Sequence, residues 1–65
     1  MSLIEELLDE IIRVAKLQAL YYSYDSSYFI NTMIQDALNQ AKQSIINGYP
    51  DDMLYAIEKL QQFEE

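Results

Sequence analysis

The fold is decided by residues 3–24, LIEELLDEIIRVAKLQALYYSY. At the helical repeat of about 100° per residue, Leu3, Ile4, Leu7, Leu8, Ile11, Ile12, Val14, Ala15, Ala19, Tyr21 and Tyr22 fall on one side. Glu5, Glu6, Asp9, Glu10, Arg13 and Lys16 take the other. The apolar sector covers roughly half the cylinder, where a surface helix usually shows about 100°. A sector this wide is expected to touch more than one neighbour. The start is signalled by Ser2 and Glu5, whose S-x-x-E spacing lets each side chain satisfy a backbone N–H that has no helical partner. The acids of the first turns suit the positive end of the helix dipole. Asp9 and Arg13 stand in the favourable i,i+4 order, which is worth a few tenths of a kcal/mol. Two features interrupt the pattern. Gln18 lies within the apolar sector, and Leu17, Leu20 and Tyr24 fall on the polar back.

The first helix is predicted over residues 3–23, and outward from it the first break is Ser23-Tyr24-Asp25-Ser26-Ser27. Asp25, Ser26 and Ser27 are all good helix N-caps. The break holds neither Gly nor Pro, so the connection is expected to be short, and short connections join antiparallel neighbours. The competing reading is one continuous bent helix. A second helix is predicted over residues 27–47, with Ile30, Met33, Ile34, Ala37, Leu38, Ala41 and Ile45 as its apolar stripe. Its polar face, which includes Asn31, Gln35, Asn39 and Gln43, is amide-rich. Asn47-Gly48 is a stop signal, with Gly48 in the left-handed position that ends many helices. Pro50 suits a first helical position, and Asp51 and Asp52 suit the first turn. They predict a third helix over 50–63, with Met53, Ala56, Ile57, Leu60 and Phe63 inward and Tyr55 outward.

At about 1.5 Å per residue the first two helices are each roughly 30 Å long and the third roughly 20 Å. The third begins beside the Leu3 end of the hairpin and is expected to stop short of the Tyr21–Phe29 corner. The expected architecture is therefore all-α: one small domain over residues 1–65, an antiparallel hairpin with a shorter third helix, completed by homodimerisation. Self-association is expected because a chain this small buries only about 60% of its extended surface. It has no Cys to staple it, and small domains commonly gain stability as oligomers.

Charge and composition exclude several functions. Eleven acids against four bases give a net charge of −7, which argues against a nucleic-acid surface and an anionic membrane. The longest apolar run, Met53–Ile57, is far too short to span a bilayer, and Glu5 and Glu6 stand where a secretory leader would be basic. The chain therefore reads as cytoplasmic. Without His or Cys it lacks the commonest metal ligands and the commonest general base. Glu5, Glu6, Asp9 and Glu10 lie on a solvent face and lack the Glu-x-x-His pattern of carboxylate-bridged metal bundles. No catalytic residue, metal site or cofactor is expected.

Five aromatics in nine residues, Tyr21, Tyr22, Tyr24, Tyr28 and Phe29, crowd the predicted corner. With Leu17 and Leu20 on the back of the first helix, they read as an exposed apolar patch, and such patches mark association surfaces. The expected site is Leu17, Leu20, Tyr21, Tyr24, Tyr28 and Phe29. It belongs to a non-enzymatic interaction module whose first partner is a second copy of itself. The alternatives are an acidic inhibitor that mimics nucleic-acid charge in a basic groove, and a small carrier or ligand-binding bundle using space near Gln18. For the carrier, Asp25-Ser26-Ser27 resembles the Asp-Ser-Leu attachment motif of acyl carrier proteins. However, Ser27 stands where that family has Leu, and the family's long loop before the serine has no room here.

Overall fold

Leu3–Tyr24 (α1), Tyr28–Asn47 (α2) and Pro50–Gln61 (α3) are α-helices in the computed structural model. The structure describes residues 2–24 and 28–63, with side chains described outside 22–29. Among the described residues there is no strand, and each helix packs against both others. Asp25, Ser26 and Ser27, expected as caps, lie outside the described residues.

The helix ends follow local chemistry. The Glu5 backbone N–H donates to Ser2 Oγ at 3.0 Å, so the Ser2 arm of the capping box closes the start of α1. Gly48 has φ +76°, and its N–H donates to the Ser44 carbonyl at 3.0 Å. This left-handed residue ends α2 as its sequence predicts. Tyr49 is extended, with φ −89° and ψ 119°, the backbone favoured for a residue before proline. Pro50 then opens α3. That helix stops at Gln61, two residues before the expected 63, and Phe63 still packs on the core.

α1 and α2 are antiparallel, tied by a Gln18 Nε2 to Gln35 Oε1 hydrogen bond of 3.2 Å. The long dimension of the molecule is 34 Å, about the length of a 22-residue helix. α3, with 12 residues, covers about half of that. The carbonyls of Leu60, in its last turn, and of Phe63, just past its end, accept hydrogen bonds from Arg13 of α1, so α1 continues well beyond the end of α3. The core between the helices holds Leu7 and Val14 of α1, Ile34, Leu38 and Ala41 of α2, and Met53, Ile57 and Leu60 of α3.

The buried face of α1 is not the centre of its apolar sector. Leu3, Leu7, Val14, Leu17 and Tyr21 face inward, at alternating three- and four-residue steps, with Glu10 half-buried in the same row. That row is the seam a helix presents when it packs nearly parallel to its neighbours. Leu17, expected on the polar back, is only 5% exposed. The correction follows from the rotation: once the seam is centred on Leu3, Leu7 and Tyr21, Leu17 lies beside them. Two readings of α2 change for the same reason. Ile30 and Met33 are exposed, whereas Asn31, expected on the polar face, is buried. The expected Asp9–Arg13 pair gives way to Glu10–Arg13 at 3.0 Å, because Glu10 sits nearer the seam that Arg13 borders.

Candidate functional site

The expected corner is only partly visible. Leu20 is 39% exposed, Tyr21 is half-buried against the core, and Leu17 is enclosed. Tyr24, Tyr28 and Phe29 have side chains outside the described set. Ile30 and Met33 of α2 add exposed apolar surface, with Met33 beside Gln62 and Phe63 at the end of α3. Gln18 is half-buried at the α1–α2 seam. Its hydrogen bond to Gln35 continues to Asn39, whose Oδ1 accepts from Gln35 Nε2 at 3.1 Å. This amide ladder lies at the surface.

A second surface appears that the sequence reading had assigned to the core. Ile4 is 44% exposed, Leu8 44% and Ile12 54%, and Ala15 and Ala19 on the same face are exposed as well. The steps 4, 8, 12, 15 and 19 keep these five residues on one ridge of α1. The ridge lies opposite Arg13, which faces α3, and beside Gln18, which faces α2. The register fixed by Gln18 and Gln35 brings Ile46 of α2 level with Leu7, and Ile46 is also exposed. Glu5 and Lys16 border the ridge on its solvent side. The signal for this surface was in the sequence, as an apolar sector about twice the usual width. What the sequence left open was which half of that sector the two neighbouring helices would cover.

The chemistry available is limited. Among the described residues, no group of His, Cys, Asp or Glu side chains is arranged to hold a metal ion. No described helix is long and apolar enough to cross a membrane. A shallow groove between α2 and α3, lined by Gln40, Gln43, Ser44, Asn47, Asp52, Tyr55 and Ala56, contains no nucleophile paired with a base. The hydroxyl of Ser44 is committed to the Ala41 carbonyl at 2.7 Å. No known protein family, curated protein or solved structure matches this chain.

Proposed function

We propose that this chain is a non-enzymatic interaction module that docks through apolar helix surface. The observation that carries the proposal is the exposed ridge of Ile4, Leu8 and Ile12 along α1. Isolated exposed apolar side chains are ordinary, but contiguous ones bordered by charge mark contact surfaces. A ridge of this shape fits another helix, whose side chains interleave with it. The corner around Leu20, with Tyr24, Tyr28 and Phe29, is the second proposed contact.

Affinity capture tests the proposal. The full chain and its Leu8→Glu variant are immobilised side by side and exposed to lysate of the source organism. A charge in the ridge is expected to abolish retention of a specific partner. A Leu20→Glu variant reports on the corner in the same way. If both variants retain what the wild type retains, neither surface is the docking site. Retention that collapses between 50 mM and 500 mM salt would instead support charge mimicry in a basic groove.

A further inference from the structure

The ridge on α1 is complementary to itself when the helix is reversed. We infer that a second copy of this chain covers it, with the two α1 helices antiparallel about a two-fold axis near Ile12. This assignment rests on the docking role proposed for the ridge and names its occupant.

Side-chain size gives the first argument. The ridge carries its large residues, Ile4 and Leu8, at one end and its small ones, Ala15 and Ala19, at the other. Antiparallel pairing sets Ile4 against the partner's Ala19 and Leu8 against the partner's Ala15. Large then meets small on both sides of the axis, where only Ile12 meets its own equivalent, so the helix axes approach closely toward the two ends of the contact. Parallel pairing sets Ile4 against its own equivalent and leaves the alanines facing each other across a gap.

Charge gives the second, independent argument. Glu5, Asp9 and Lys16 border the ridge on its solvent side, acidic at one end and basic at the other. Among the described residues the ion pair on α1 is Arg13–Glu10, and Lys16 has no carboxylate partner. Antiparallel pairing places Glu5 near the partner's Lys16, and two-fold symmetry makes that contact twice. Parallel pairing stacks Glu5 and Asp9 on their own equivalents. By the Gln18–Gln35 register the exposed Lys42 and Ile46 of α2 lie level with Ile11 and Leu7; Lys42 is thus close to the axis, where its approach to the partner's copy opposes pairing and is reduced by salt. The net −7 of each copy opposes association, but at about 0.15 M salt charges are screened beyond about 8 Å. Self-association should therefore strengthen as salt rises from low values.

Area sets the expected strength. From Ile4 to Ala19 the ridge is about 22 Å long. Two helices meeting over that length bury on the order of 1,000 Å² in total, the lower bound for a specific interface. A reversible dimer with micromolar dissociation is the expected result.

The experiment uses the purified full chain without any other protein. Sedimentation equilibrium should show a monomer–dimer equilibrium that Leu8→Glu or Ile12→Glu weakens by roughly thirtyfold. Both positions are exposed, so helical circular dichroism should be unchanged; if one variant unfolds, the other carries the test. Orientation is read by disulfide cross-linking, which the absence of native cysteine makes clean. Leu8→Cys mixed with Ala15→Cys should give a cross-linked heterodimer, while neither variant should cross-link to itself, because those Cα atoms would lie about 10 Å apart, beyond disulfide reach. Self-linking of Leu8→Cys without the mixed product would overturn the antiparallel assignment. A chain that stays monomeric at several hundred micromolar would overturn self-pairing altogether. Loss of captured partner on Leu8→Glu would still support docking in that case, so the two readings fail separately.

Discussion

Arg13 joins two elements with one side chain. Its Nε and Nη2 donate to Glu10 Oε2 and Oε1 at 3.4 and 3.0 Å. Its Nη1 donates to the Phe63 carbonyl at 2.8 Å and its Nη2 to the Leu60 carbonyl at 2.9 Å. The last carbonyls of a helix have no partners within it and sit at the negative end of its dipole. A guanidinium placed there meets both needs, and its planar fork reaches more acceptors than an ammonium can. Arg13→Met keeps the aliphatic stem and removes the cap. It should cost about 1–2 kcal/mol, toward the low end because the side chain is 38% exposed and solvent screens it. Urea denaturation measures this; a change below about 0.3 kcal/mol, within the usual scatter for surface substitutions, would show the contact to be energetically idle. Asn31 is the opposite case. It is 8% exposed, and its Oδ1 is buried without a hydrogen-bond partner. An unmet buried acceptor costs about 1–3 kcal/mol, so Asn31→Leu, of similar bulk, should stabilise the fold by about 1 kcal/mol. In a domain this small that raises Tm by about 4–8 °C. A lower Tm would mean that the amide is satisfied in solution by an ordered water.

At the scale of elements, punctuation was easier to read than rotation. Ser2, Gly48 and Pro50 each act within a few residues of their own position, so the helix starts and the α2 stop could be read without knowing the neighbours. Gly48 is the sharpest example. At φ +76° an L side chain is strained, yet a Cβ there would meet nothing within 4 Å. The cost of Gly48→Ala is therefore purely conformational, about 1 kcal/mol. Gly48→Asn should cost less, because Asn tolerates the left-handed region. Equal losses for the two variants, read from thermal midpoints, would point to a steric origin instead. Facing is a different kind of property. Leu7 and Leu8 are the same residue one step apart, and only the positions of α2 and α3 decide which is enclosed. The same holds for Asn31, which looks solvent-facing by type and is buried by the way α2 is turned toward its neighbours. The corner assignment suffered likewise. Leu20 is exposed as read, but Leu17 was drawn inward by a rotation that no local pattern specifies.

For the whole molecule, the contrast between Leu7 and Leu8 becomes a measurement. Leu7 is fully buried among residues of all three helices, while Leu8 is 44% exposed on the outer ridge. Truncating a buried leucine costs about 2–5 kcal/mol, from lost transfer energy and the cavity left behind. A 65-residue domain has a total stability of only about 3–10 kcal/mol at typical values per residue. Leu7→Ala should therefore leave much of the population unfolded at 37 °C. Leu8→Ala removes surface that water already reaches, so in dilute solution it should cost less than about 1 kcal/mol. Concentration separates the two further. A chain that folds as a monomer and then pairs gains stability by mass action as its concentration rises above the dissociation constant. The wild-type Tm should climb between about 5 µM and 500 µM, on the order of 1–3 kcal/mol of added stability. Leu8→Ala should flatten that climb while matching the wild type at the dilute end. Leu7→Ala should lie below the wild type at the dilute end, where pairing contributes nothing. If Leu8→Ala instead destabilises the dilute chain as much as Leu7→Ala does, the ridge is enclosed in the single chain and the surface assigned to docking belongs to the core.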